Sequence, residues 1–118
     1  MGSLGYTIRL TNHGHGACRI SAGLVLYQTA SGGVEKRIPI ETETAHPKSL
    51  LLAAGKTIET NVLITNGYGG YAPDSPHCAH PVVYRGISVG VGSGLVALPQ
   101  LVLDVKCDGV RAYDWYLA

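Results

Sequence analysis

Four of the five histidines stand in two short clusters, and imidazole is a common metal ligand in proteins. His13 and His15 are separated by one residue, and His77 and His80 by two. Imidazoles at such spacings on a loop can converge on one cation, with a neighbouring thiol or carboxylate as a further ligand. The pattern supports a zinc- or copper-binding hypothesis, with catalytic use of an open coordination position. The alternative is that these are exposed loop histidines flanked by glycine and proline.

Tyrosine and small polar residues are concentrated in the segment 66–81. Tyr68 and Tyr71 are separated by two glycines and are followed by Asp74 and Ser75. An exposed tyrosine ring can stack on the apolar face of a sugar while neighbouring polar groups bind the hydroxyls. The same composition is typical of protein interfaces, where tyrosine supplies contact area at a small entropic cost. The alternative is a loop that packs over the end of its own fold.

The end of the chain carries a third aromatic group. Tyr113 and Trp115 fall on one face of a strand, and Tyr116 falls on the other. Trp115 is therefore a further candidate ligand-binding residue. The competing interpretation is that this tryptophan belongs to the core or seals an edge of the fold.

Signatures of catalysis are weak. No cysteine stands in a recognisable nucleophile setting. Glu41 and Glu43 are two residues apart beside a polar segment, where a solvated face is the simpler interpretation. The sequence therefore favours a non-enzymatic protein that requires no cofactor. Zinc or copper is expected only under the metal-binding hypothesis.

The element on which the rest of the chain depends is a strand predicted over Thr57–Thr65. One face carries Ile58, Thr60, Val62 and Ile64, and the other is mainly polar. A period of two is expected of a strand with one buried face. The strand begins after a Gly-Lys pair and ends at Asn-Gly, which are turn signals.

Most of the remaining chain shows the same kind of pattern. Strands are predicted over 18–28 and 82–91, a break is predicted at Pro99, and Asp-Gly at 108–109 predicts a two-residue hairpin. About eight short strands joined by glycine-rich turns indicate an all-β fold, an antiparallel two-sheet β-sandwich, with a small β-barrel as the alternative. The long loop 66–81 would cross between the sheets.

Composition bounds the class of protein. A chain of 118 residues is expected to form one domain over 1–118. Charged residues make up only 14%, against roughly 25% in an average soluble domain, and the net charge is +1. Scattered cations argue against nucleic-acid binding. Scarce charge predicts that part of the surface is covered by further copies, so a homo-oligomer is expected.

The compartment is not specified by the sequence. The first ten residues do not resemble a signal peptide, and no apolar run is long enough to span a membrane, so we expect a soluble protein that is cytosolic or a mature secreted domain. Three cysteines allow at most one internal bridge. Reduced, partly buried thiols are the favoured expectation, and one bridge involving Cys78 is the alternative.

Taken together, these patterns give three functional hypotheses. The leading one is a non-enzymatic, lectin-like binding module that contacts a glycan or a protein through the loop 66–81. The second is a protein that binds zinc or copper through the clustered histidines, and that could be a small metalloenzyme. The third is a self-assembling structural subunit.

Overall fold

The structure is a computed structural model that describes residues 3–21, 23–29, 33–42, 49–92 and 94–118. These residues form strands and one short 3-10 turn, Pro76–Cys78, so the predicted all-β class is confirmed. The strands are β1 Ser3–Thr11, β2 Cys18–Ser21, β3 Leu26–Thr29, β4 Glu35–Arg37, β5 Ile40–Thr42, β6 Ser49–Leu52, β7 Thr57–Thr65, β8 Val82–Tyr84, β9 Ile87–Val91, β10 Gly94–Leu98, β11 Leu103–Val105, β12 Val110–Ala112 and β13 Tyr116–Leu117.

The strands form four sheets within the described residues. The largest has the order β1-β7-β12-β5, with β13 also beside β7, and the second has the order β10-β9-β3-β4. Two further pairs are β11 with β8 and β2 with β6. All pairs are antiparallel except β12 with β5.

Several strands are shorter than the patterns predicted, because the chain changes sheet part-way along them. The predicted strand 18–28 is divided into β2 and β3, and 82–91 is divided into β8 and β9. Gly86 at the second break has φ +60, which a glycine adopts without steric cost. The break predicted at Pro99 is found between β10 and β11.

Strand β7 has the predicted bounds and the predicted faces. Its buried residues are Ile58, Thr60, Val62 and Ile64, and the residues between them are half-buried. β7 pairs along its whole length with β1 and on its other side with β12 and β13. The hydroxyl of Thr60, the one polar side chain on the buried face, donates a hydrogen bond to the carbonyl of Tyr113.

One hydrophobic core draws residues from strands of all four sheets. Its buried members are Ile8, Ile20, Leu24, Leu26, Ile38, Leu52, Ile58, Val62, Ile64, Ile87, Val89, Leu103, Val105, Val110, Ala112 and Trp115. No helix in the described part of the chain is long and apolar enough to cross a membrane.

The hairpin predicted at Asp108 and Gly109 is wrong. β11 on one side of this turn pairs with β8, whereas β12 on the other side pairs with β5 and β7. Asp108 does have a positive φ of 60°. The Asp-Gly signal therefore marks the left-handed backbone correctly, but the turn leads the chain into another sheet instead of back along β11.

Candidate functional site

The aromatic loop, which we define as residues 66–81, is built from consecutive tight turns. The amide of Gly69 donates to the carbonyl of Asn66, and the amide of Tyr71 donates to that of Tyr68, each at 2.9 Å. Gly69 and Gly70 have φ values of +60° and +91°, which L side chains rarely adopt. The two glycines thus allow the chain to reverse between the tyrosines, and the loop has a defined backbone of its own.

The second half of the loop ends in the 3-10 turn Pro76–Cys78. Ser75 caps this turn, because its hydroxyl accepts a hydrogen bond from the amide of His77 at 3.3 Å. Ser75 is half-buried, while Asp74 beside it is exposed. Of these two predicted ligand-binding residues, Ser75 therefore shapes the turn and Asp74 presents its carboxylate to solvent.

Three adjacent links tie the loop to the turn after β11, and together we call them the clasp. A disulfide joins Cys78 to Cys107. The amide of Asp108 donates to the carbonyl of His77 at 2.7 Å. Nδ1 of His77 donates to Oδ1 of Asp108 at 2.9 Å, since a carboxylate only accepts. The clasp fixes the position of the aromatic loop on the sheets.

The expectation of three reduced thiols is corrected by the clasp. Cys78 and Cys107 are buried and bridged, and Cys18 is a free, exposed thiol. The alternative prediction, one bridge that involves Cys78, is confirmed. The fold brings Cys107 next to Cys78 in the loop. The spacing of these two cysteines in the sequence does not predict that they are close.

Both tyrosines of the loop present their rings at the surface. Tyr68 is 42% exposed and Tyr71 is 36% exposed. Tyr71 stacks on the ring of His77, with a centroid separation of 4.3 Å and an interplanar angle of 10°. Nζ of Lys106 lies 5.7 Å from the centre of the Tyr68 ring, within the range of a cation–π contact. His77 of the clasp therefore contacts the ring of Tyr71 directly. Lys106, which contacts the ring of Tyr68, directly precedes Cys107 of the clasp.

Trp115 does not belong to this surface. Its side chain is 3% exposed and is part of the hydrophobic core. Its ring is therefore not presented to a ligand. Trp115 occupies a core position, as the competing interpretation predicts. Tyr113 and Tyr116 on either side are exposed.

The histidine clusters are placed at opposite ends of β7. His13 and His15 follow β1, whose end at Thr11 lies opposite Thr57, whereas His77 and His80 lie in the loop that follows Thr65. At about 3.3 Å per residue the two ends of β7 are roughly 26 Å apart. Among the described residues, no group of three or more metal-ligating side chains is placed to hold an ion. The fold does not bring the four histidines together.

Three residues of the site were not predicted from the sequence, namely Lys106, Cys107 and Asp108. Because an Asp-Gly pair predicts a hairpin, the sequence does not indicate its carboxylate as a partner for the loop. The signal in the sequence that could have indicated these residues is the set of three cysteines, one of which lies inside the loop. Pairing Cys78 with Cys107 would have brought Asp108 beside His77.

Comparisons with known proteins returned no match, whether to a family model, to a curated protein or to a solved structure.

Proposed function

We propose that this chain is a non-enzymatic binding module that contacts a protein partner through the aromatic loop. The observation that carries the proposal is the exposure of two tyrosine rings on a loop that the clasp fixes in place. Tyrosine is, with tryptophan and arginine, one of the side chains enriched among the residues that dominate the affinity of protein interfaces.

The clasp supports this proposal through the entropy of binding. A flexible loop loses conformational freedom when a partner orders it, and that loss is subtracted from the affinity. Here the turns of the loop, the disulfide and the His77–Asp108 hydrogen bond have already ordered the backbone. A partner would therefore meet a surface that is formed before binding.

A protein partner is favoured over a glycan by what already contacts the two rings. One face of Tyr71 is covered by His77, and the ammonium group of Lys106 lies near the ring of Tyr68. A sugar that stacks on a ring requires an open face, whereas a protein surface can pack against edges and hydroxyls as well. Glycan binding, with Asp74 accepting from sugar hydroxyls, is the second candidate.

The experiment compares proteins retained by immobilised wild-type chain and by a Tyr68→Ala/Tyr71→Ala variant, using quantitative mass spectrometry of a cell extract. Loss of two interface tyrosines should weaken a true partner at least about tenfold, and Tyr113→Ala, an exposed tyrosine outside the loop, should not. A glycan array probed with the same three proteins tests the second candidate. Identical retention by all three proteins in both assays would contradict the proposal.

Self-assembly has separate support in exposed apolar residues. Leu95 and Val96 of β10 are 46% and 45% exposed, and Leu117 near the end of the chain is 65% exposed. Burying such side chains against a second copy would contribute favourable free energy. We therefore also propose a homo-oligomer. Zinc or copper binding has no comparable support, since the histidine clusters are far apart.

We propose further that the two larger sheets pack face to face as a β-sandwich. The support is that buried residues of β7 and of β9, which belong to different sheets, are members of one core. In such a sandwich the aromatic loop would lie at one end of the two sheets, which is where binding loops of this architecture are clustered.

A further inference from the structure

A groove of about 380 Å³ lies between β1 and the end of β10 together with the residues that follow β10. Residues 6–9 line one wall and residues 97–101 line the other. Successive side chains of a strand point to opposite faces of its sheet. Consecutive residues of β1 can therefore line one groove only along the edge of the strand, where the backbone itself is presented.

The backbone of β1 directs half of its polar groups into this groove. The amide of Asn12 donates to the carbonyl of Lys56 at 3.0 Å, so the pair next to Thr11 and Thr57 is hydrogen-bonded. Hydrogen-bonded and non-hydrogen-bonded pairs alternate along an antiparallel ladder. Counting back from Asn12, the N–H and C=O groups of Thr7 and Arg9 point away from β7.

Side-chain contacts agree with this assignment. Residues in non-hydrogen-bonded pairs approach more closely. The hydroxyl of Thr7 donates to Asn61 at 3.0 Å, and Arg9 forms an ion pair with Glu59 at 2.7 Å. Both contacts join residues directly opposite each other in the register. The guanidinium group of Arg9 is thus held over the face of the sheet.

The opposite wall also presents backbone. The amide of Gly90 donates to the carbonyl of Val25, so Gly90 directs its polar groups toward β3. By the same alternation the pair of Ala97 with Ser88 is not hydrogen-bonded, and the N–H and C=O of Ala97 point away from β9. Within the described residues β1 pairs only with β7 and β10 only with β9.

We propose that this groove binds an extended segment of a partner polypeptide as an added β-strand. The backbone of the segment would hydrogen-bond to Thr7 and Arg9 on one wall and to Ala97 on the other. Its apolar side chains, at alternate positions, would pack against Leu98 and Leu101, which lie on the core at the groove wall. Strand addition of this kind obtains affinity from main-chain hydrogen bonds and specificity from alternate side chains. The site is distinct from the aromatic loop.

The composition of the two edges supports an added strand. Proteins usually protect exposed edges with lysine, proline or bulges. β1 has nine residues with one charge, and β10 has five residues with none; neither contains proline. The single charge, Arg9, is bound by Glu59. Within the described residues neither of these edges has a partner strand, and Pro99, directly after β10, is the one proline that lines the groove, so both edges are open to an added strand.

The probe for the test is a nine-residue peptide with the sequence of β7, Thr57–Thr65. This sequence already pairs with the inner edge of β1 and alternates apolar with polar residues. Amide exchange of the full chain is followed by nuclear magnetic resonance. At a peptide concentration about ten times Kd, the amides of Thr7, Arg9 and Ala97 should exchange about tenfold more slowly. The amide of Tyr71 in the aromatic loop should be unchanged.

Two methylated peptides provide a matched control. N-methylation at the peptide positions equivalent to Glu59 and Asn61 removes the amides that would face β1, and should abolish the protection. N-methylation at the positions equivalent to Thr60 and Val62 removes amides that would face Ala97, and should reduce the protection of Ala97 more than that of Thr7 and Arg9. On the protein, Thr7→Pro removes an outward N–H and should weaken binding, whereas Thr7→Val keeps that N–H and should bind.

Three results would overturn the proposal. The first is no slowing of the Thr7 and Arg9 amides at up to about 1 mM peptide, which corresponds to a binding free energy weaker than about −4 kcal/mol. The second is equal protection by the two methylated peptides. The third is protection of the Thr7 and Arg9 amides that rises with protein concentration without peptide, which would assign the groove to a second copy of the chain.

Discussion

Asp108 shows how a single residue organises the candidate site. Its backbone lies in the left-handed region at φ 60°, where aspartate is tolerated better than most L residues. Its amide and its carboxylate both bind His77. The conformation of the turn and the orientation of the ring under Tyr71 therefore depend on the same residue.

Substitutions of Asp108 should separate these two roles. Asp108→Asn keeps an acceptor oxygen and tolerates the left-handed backbone, so its stability should be close to that of the wild type. Asp108→Gly removes the acceptor and should cost about 1 kcal/mol of unfolding free energy. Asp108→Ala also strains the backbone and should cost about 1–2 kcal/mol more than glycine. Urea unfolding measures all three, and equal stability of the alanine and glycine variants would contradict the role of the backbone.

The clasp is the element that couples the aromatic loop to the sheets. The disulfide closes a loop of chain between residues separated by 29 positions, and such a cross-link restricts the unfolded state. The hydrogen bond between His77 and Asp108 lies next to it. The loop and the turn after β11 are therefore expected to unfold as one unit.

Removing the disulfide should lower stability markedly. For the variant Cys78→Ala/Cys107→Ala we expect a loss of roughly 2–4 kcal/mol, because the unfolded chain regains the entropy of the open loop. Thermal unfolding compared with and without a reductant gives the same information on the wild type. The control is Cys18→Ser, which changes an exposed free thiol and should be neutral. A stability unaffected by loss of the bridge would mean that the clasp does not brace the loop.

The strand patterns were predictable where they depended on one buried face. Thr57–Thr65 was predicted with its bounds and its faces, because alternation and flanking turns are local properties of the sequence. The breaks that divide 18–28 and 82–91 were not, since an alternating pattern continues when the chain passes into another sheet. The hairpin at Asp108 failed for a related reason, because a turn signal specifies a local φ and not the next pairing partner.

The candidate site was predictable in part. The exposure of Tyr68 and Tyr71 agrees with a glycine-rich loop between strands. Trp115 gave no signal that separates a core position from a surface one, because a terminal strand has the same period in either case. The partnership of His77 with Asp108 arises only from tertiary structure, since the two residues lie on either side of the disulfide.

At the scale of the whole molecule, the surface is poor in charge and rich in exposed apolar side chains. Charged residues make up 14% of the sequence, and large apolar side chains are exposed on several strands, including β8, β10 and β13. Burying such side chains against another polypeptide removes apolar area from water, which contributes favourable free energy to association. Both self-assembly and strand addition would use this property.

Light scattering tests self-assembly. We expect a mass above the 12.4 kDa of one chain, rising with protein concentration, because association buries apolar surface. Leu95→Lys/Val96→Lys on β10 should reduce that mass, and Lys36→Arg on β4 serves as a charged-surface control. A constant monomer mass over the whole concentration range would refute the homo-oligomer.

The central claim is that the aromatic loop is a contact surface and not a cap over the core, and urea unfolding of Tyr68→Ala/Tyr71→Ala tests it most directly. Loss of the Tyr71–His77 stack and of the Lys106 contact should together lower the unfolding free energy by only about 1–2 kcal/mol. Removing a large aromatic ring that seals a core costs roughly 3–5 kcal/mol for each residue. A loss within the smaller range is the predicted result, and a loss in the larger range would contradict the account.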